Sequence, residues 1–347
     1  MKTIISIASI ILLVSSGCKK DNPTTTPKKS VPTITGNWAT GGPNLSGGII
    51  ETIGIEKNKI FACSGGGGIY LSTNNGLSWL QVNNGLPSNN HNQNNYNEIA
   101  VNDTDIFMSY LSSSAAMYFS NNNGSNWSAI DNGLPAAQIM AITVKGNDVF
   151  AGTSNGMYKS SNNGGFWSAI DTGLPAKTVI YAMAVTDSAI YVASLNNIYI
   201  SNNSGTSWSV LGQPLPGIYQ NCMTASGDSI VVGTYYGLYT TTNLGATWTA
   251  VGSSIFGNSP SSGGPQIISL ATSGSDIIVS LLQEVYFSND YGNTWYLVAG
   301  LPANMSVFSI VINNGTIYAC GAIDSSTNPE SGPIWTGEVY TCPLNSL

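Results

Sequence analysis

Ser288-Asn289-Asp290-Tyr291-Gly292-Asn293-Thr294-Trp295 is the last of six copies of one pattern, S/T-x-N/D-x-G-x-x-W. The other copies run from Ser72 to Trp79, Ser120 to Trp127, Ser160 to Trp167, Ser201 to Trp208 and Thr241 to Trp248. Their tryptophans are separated by 48, 40, 41, 40 and 47 residues. A period of this size marks supersecondary units, each of which buries its apolar face only against its neighbours. The 347 residues are therefore read as one array rather than as the two domains that length alone suggests.

One unit, Gln138 to Asp171, shows the internal order. Ile139 to Val144 alternates as a strand, and Lys145-Gly146-Asn147-Asp148 turns it into a second strand, Val149 to Gly152. Ser154-Asn155-Gly156 leads into Met157-Tyr158-Lys159, the motif makes the third turn, and Trp167 to Ile170 forms a fourth strand before Gly173-Leu174-Pro175. Four short antiparallel strands per unit is one blade of a β-propeller.

The chain ends complete the count. Phe308 to Ile312, Ile317 to Cys320 and Glu338 to Cys342 supply three strands of a seventh blade. The fourth is expected at the other end, where Trp38-Ala39-Thr40 precedes Gly42-Pro43-Asn44-Leu45 and Trp38 lies 41 residues before Trp79. The expected fold is thus all-β: a seven-bladed propeller of four-stranded antiparallel blades over residues 36–347, its N-terminal strand closing the C-terminal blade and removing an open edge. Aligned first strands give a large apolar column (Ile53, Ile99, Ile142, Met183, Met223, Leu270, Ile310). The next column is mostly small (Gly54, Ala100, Thr143, Ala184, Thr224, Ala271, Val311). Adjacent strand positions face opposite sides, so the large side of one blade can pack on the small side of the next.

Residues 1–17 read as an export signal, with Lys2 in a short basic segment and an apolar run from Ile4 to Val14. Ser15-Ser16-Gly17-Cys18 resembles a bacterial lipoprotein cleavage box, which implies lipidation of Cys18. Cys18-Lys19-Lys20-Asp21 is similar to the start of many Bacteroidota lipoproteins. Residues 18–35, rich in Pro, Thr and Lys, read as an extended linker. The expected location is the cell envelope, anchored to the outer membrane by lipid alone. Cys63 and Cys320 fall at the same place in two repeats and read as buried apolar residues.

Charge narrows the function. The chain has no arginine, and from residue 30 onward 5 lysines meet 16 acids (the 17 of the whole chain less Asp21), a net of −11. Such a body repels phosphate backbones, so no nucleic-acid partner is expected. His91 is the single histidine, which leaves no His-based triad or multi-histidine metal site. No cofactor or metal is expected.

The repeated motif resembles the Asp box, or BNR repeat, of sialidases, sortilin-type receptors, xyloglucanases and the photosystem II assembly propeller. The resemblance implies the propeller fold and assigns Trp79, Trp127, Trp167, Trp208, Trp248 and Trp295 a structural role. It implies no single activity. The sialidase arginine triad has no counterpart here, the xyloglucanase cleft lies between two propellers, the sortilin-type ring is larger, and the basic patch of the assembly propeller is missing.

Binding is expected on the face opposite the motif turns, where the excess loop length lies: Pro87 to Asn95, Gly252 to Gln266 and Ala322 to Thr336. That rim carries Tyr96, Tyr110, Tyr219, Tyr235, Tyr236, Phe256 and Trp335, with Glu51, Asn97, Glu98 and Asn221 where the first strands begin. Glu98 stands out because its column otherwise holds Thr52, Ala141, Ala182, Cys222, Ser269 and Ser309. The ligand-binding set expected is Tyr96, Asn97, Glu98, Tyr219, Asn221, Tyr235, Tyr236 and Trp335. The expected function is that of a monomeric, non-catalytic propeller recognising a protein or glycan partner. The alternative is a glycoside hydrolase with Glu51 and Glu98 as its carboxylate pair.

Overall fold

A computed structural model describes residues 31–41, 45, 48–87, 96–110, 116–195, 197–215, 220–257, 265–324 and 335–347, with backbone alone at Tyr96, Asn97, Gln220, Asn221, Asp324 and Trp335. Seven antiparallel blades form the ring. In the first, Ile50–Glu56, Lys59–Ser64, Gly68–Ser72 and Leu80–Gln81 pair in chain order from the axis outward, and the next five blades repeat that order. The seventh takes Met305–Asn313, Thr316–Asp324 and Trp335–Pro343, and its outermost strand is Ala39–Thr40, with Ala39 opposite Thr341. The ring therefore closes as the position of Trp38 predicts.

The folded body begins before residue 36. Thr33–Thr35 adds a fifth, parallel strand to the outside of blade six, with Ile34 opposite Val298. Leu297 N–H donates to the Pro32 carbonyl and Gly36 N–H to the Ala299 carbonyl, both at 2.9 Å. Composition places this stretch in the linker, but Val31 and Ile34 break its polar character and pack on the cores beside blade six. Pro32 is tolerated because an edge strand needs no donor on its outer side. One short segment thus covers the edges of blades six and seven in succession.

Packing follows the alternating columns. Ile99 lies in the core shared with Phe61 and Ile69 of blade one, whereas Ala100 packs with Ile139 and Val149 of blade three. A Cβ placed on Gly54 would stand 2.7 Å from Val101 Cγ2 and 3.1 Å from Ile99 Cγ2, so near the axis blade two fills space that blade one leaves open.

The motif turn is held by its own polar side chains. Ser288 Oγ donates to Asp290 Oδ1 (2.8 Å), Gly292 N–H donates to Ser288 Oγ (2.8 Å), and Thr294 N–H donates to Asp290 Oδ1 (2.8 Å). Asn74, Asn162 and Asn203 accept the matching amide bonds in their own blades. The tryptophan then ties blades together: the indole N–H of Trp127, Trp167 and Trp208 donates to Val82, Ile130 and Ile170 of the preceding blade at 2.6–2.7 Å. Trp79, Trp127, Trp167, Trp208 and Trp295 are buried and Trp248 is half-buried.

Candidate functional site

The inner strands share an irregularity at their long-loop ends. In blade one Ile50 pairs with Ser64 and Thr52 with Cys63, so the register shifts at Glu51, the inserted residue. The register slips likewise at Asn97 (between Tyr96 and Glu98), Met140, Asn221 and Phe308. Such a bulge bends the strand and re-aims its side chains where it meets the rim. Glu51, Asn97 and Asn221 therefore occupy one structural position, the inserted one, and Glu98 the position after it. The signal is in the sequence: the large buried residues Ile50 and Ile53, Ile139 and Ile142, and Val307 and Ile310 are three apart, whereas a regular strand repeats every two residues.

Glu98 and Glu51 both act on the interior of blade one. The Cys63 thiol, fully buried, is pushed well up from its ordinary value first by burial, then by Glu51, Cys320 and Glu98. Glu51 lies under the hairpin turn that begins at Gly65, where a Cβ would stand 3.0 Å from its Oε1. Gly65 N–H donates to the Ile49 carbonyl (2.9 Å), fixing that turn over the carboxyl. Glu98 is pushed up to about 8 by burial alone, although part of its surface stays accessible. A carboxyl in that condition is largely protonated near neutrality and can donate a hydrogen bond as well as accept one.

Around the rest of the rim, Tyr235 and Tyr236 sit on the turn between the second and third strands of blade five. Their rings meet edge to face at 5.3 Å and 89°, with Tyr235 45% exposed and Tyr236 half-buried. Two of the expected rim aromatics are core residues instead. Phe256 is wholly buried by the helix Ser253–Phe256, which sets its ring edge-on to Trp295 at 4.9 Å and Tyr286 at 5.6 Å. Tyr110 is buried and packs edge-on against Tyr118 at 5.3 Å. Tyr96, Asn97, Asn221 and Trp335 lie on described strands, their side chains outside the described residues. Tyr219, Cys18, His91 and most of the three long loops also lie outside them. The structure thus brings Glu51 and Glu98 to one part of the mouth and Tyr235 and Tyr236 to another.

The opposite end of the channel differs. A cleft of about 630 Å³ opens there between the inner strands of blades three to five, lined by Thr143, Lys145, Met183, Asp187 and Thr224 among others. A smaller one, about 270 Å³, lies between blades two and three beside the motif residues Asn162 and Asn163. Charges at this end are paired locally: Lys57 with Asp103 at 2.8 Å and Lys159 with Asp148 at 2.6 Å. Among the described residues, no group of three or more His, Cys, Asp or Glu side chains could hold a metal ion.

Fold and rim together define a seven-bladed propeller with an acidic and aromatic mouth opposite its motif turns. Residues 146–278 match the family described as the DUF6242 beta propeller domain. No curated protein matches the chain. Among solved structures, the chain is similar to YCF48 bound to D1 peptide (14% identity, TM-score 0.65, covering 90% of this chain and 97% of that one). It is similar also to YCF48 from Cyanidioschyzon merolae (15% identity, TM-score 0.65, covering 89% and 99%). The GH74 xyloglucanase from Xanthomonas campestris aligns at 16% identity with a TM-score of 0.61, over 86% of this chain and 55% of that one.

Proposed function

We propose that this chain is a non-catalytic recognition propeller that binds a protein or glycan partner at its long-loop face. The observation that carries the reading is the mouth itself: the Glu51 and Glu98 carboxyls and the Tyr235–Tyr236 pair sit at one end of the channel. Aromatic faces and carboxyl groups around one mouth suit neutral or basic polar ligands. A structural relative bound to a peptide supports a polypeptide as the partner. The test is capture of partners from an envelope extract with the wild-type propeller, a Tyr235→Ala/Tyr236→Ala variant and a motif-turn variant, Ser207→Ala. Loss in the first variant and retention in the second is expected; the reverse pattern would remove the proposal.

A second reading rests on Glu98. A carboxyl held up to about 8 has the property of a general acid, and with Glu51 it would form the pair that glycoside hydrolysis uses. Turnover of xyloglucan oligosaccharides that disappears in Glu98→Gln would replace recognition by catalysis; no turnover in either protein supports recognition.

The propeller is placed in the cell envelope by export and lipidation at Cys18, with attachment to the outer membrane through that lipid and a monomeric body. Metabolic labelling with radioactive palmitate, lost in Cys18→Ala, tests the anchor, and sedimentation of residues 31–347 tests the monomer.

A further inference from the structure

Glu98 and Ser109 are register partners on the two innermost strands of blade two. Directly opposed residues of an antiparallel pair project from the same face, with their Cβ atoms about 5 Å apart. That face is the one turned toward blade three, because Ala100 and Phe107, two residues along each strand, pack in the core shared with Ile139 and Val149. Ser109 is wholly buried, and its hydroxyl has no hydrogen-bond partner among the described residues. A buried hydroxyl left unpaired costs about 1–3 kcal/mol, so a hydrogen bond to Ser109 from a water or a ligand group would be favourable.

Among the described residues no lysine is paired with this carboxyl. There is no arginine, and the lysines after residue 30 are Lys57, Lys59, Lys145, Lys159 and Lys177. Lys57 is bound to Asp103, Lys59 to Asn123 and Lys159 to Asp148, all on turns and strand ends of the motif face. Lys145 ends the strand Ile139–Lys145 at that same face. At the long-loop end, exposed Lys177 is the single lysine among the described residues, against Glu51, Glu98, Asp131, Asp171, Glu284 and Glu338.

We propose that the Glu98–Ser109 pair is the anchor for a cationic side chain of the partner, a lysine ammonium or an arginine guanidinium on an exposed polypeptide segment. This deepens the recognition reading and rests on it. An arriving cation would favour loss of the Glu98 proton, so that the carboxylate takes the charge and one N–H; with the mouth side chains shifted to admit it, a second N–H would reach Ser109 Oγ, which is buried as it stands. A neutral glycan hydroxyl would leave Glu98 protonated and gain only hydrogen bonds, whereas a cation gains the charge of the ionised carboxylate as well, which is why the pair favours a cation.

The test is calorimetric titration of the folded propeller with Gly/Ser peptides carrying one central lysine, one arginine, or one acetyl-lysine. Cationic peptides are expected to bind about tenfold more tightly than the acetylated one, with the difference shrinking at high salt. Glu98→Gln, checked for an intact fold by its melting curve, should abolish the preference, and Ser109→Ala should reduce it about threefold. Equal binding of all three peptides, sensitive to Tyr235→Ala/Tyr236→Ala but not to Glu98→Gln, would overturn the cation site and leave recognition standing. No binding of any peptide at millimolar concentration would overturn both.

Discussion

Glu98→Gln isolates the energetic consequence of a carboxyl buried at the blade-two mouth. In the native chain burial raises Glu98 from 4.5 to about 8, whereas in the unfolded chain it titrates near its ordinary value. Between those two pH values the folded state keeps a proton that the unfolded state has released. Stability contributed by this protonated form is therefore fully present below pH 4.5 and lost as pH rises through about 8. One proton corresponds to about 1.4 kcal/mol per pH unit, which sets a ceiling of about 5 kcal/mol. Partial contact with solvent hydrates and screens the carboxylate, so the expected loss is about 1–3 kcal/mol. Gln is close in shape and neutral throughout. The variant should match the parent at about pH 4 and exceed its stability by that amount at about pH 9. Urea midpoints at both pH values measure this, with equal slopes showing that the unfolding reaction is the same. The other carboxyls titrate in both proteins and cancel in the comparison. A parent and variant that differ equally at both pH values would refute the reasoning, since Glu98 would then be a hydrated carboxylate in the folded state.

Trp208→Ala should cost about 3–5 kcal/mol in urea unfolding, through a lost buried ring and the bond to the Ile170 carbonyl, while binding per folded molecule is unchanged. Leu244→Asn should stabilise by about 0.5–1 kcal/mol, because Leu244 holds a left-handed φ of 53° with its side chain 39% exposed, at a position where three other blades carry Asn. Deleting residues 1–41 removes Ala39–Thr40 and Thr33–Thr35 together and should lower the melting temperature and broaden the transition, whereas deleting residues 1–30 should leave both unchanged. Cys222 and Cys320, pushed up to about 12 by burial, should resist Ellman's reagent at about pH 8 until denaturant is added.

The ring was legible because its information is local and repeated. Each motif turn is closed by its own Ser or Thr, Asn or Asp, and Gly, so six copies declare six blades before any long-range contact is considered. Closure was legible from the interval between Trp38 and Trp79. The slipped registers were written in the three-residue spacing of Ile50 and Ile53, but a search for strict alternation passes over them. Phe256 was not legible as a core residue: its burial depends on Trp295, thirty-nine residues later in the next blade, and on a single helical turn too short to carry a periodic signal. The fifth strand of blade six was hidden for a related reason, since its partner, Tyr296–Ala299, lies at the far end of the chain.

Repetition explains the fold, and departures from it locate the chemistry. A seven-fold ring of equal blades would give its two channel mouths equal treatment around the axis. Here the motif end pairs Lys57 with Asp103 and Lys159 with Asp148, and its larger cleft is lined by threonine and methionine together with Lys145 and Asp187. The long-loop end places a carboxyl in a column of small neutral residues, opposite a hydroxyl that bonds nothing among the described residues, and no described lysine pairs with either. A buried carboxyl without a counter-charge lowers stability as pH rises, so the fold gains nothing from keeping Glu98. That cost is the physical reason for assigning Glu98 to binding rather than to structure, and it is why one substitution, Glu98→Gln, should raise stability and abolish the preference for a cationic ligand together.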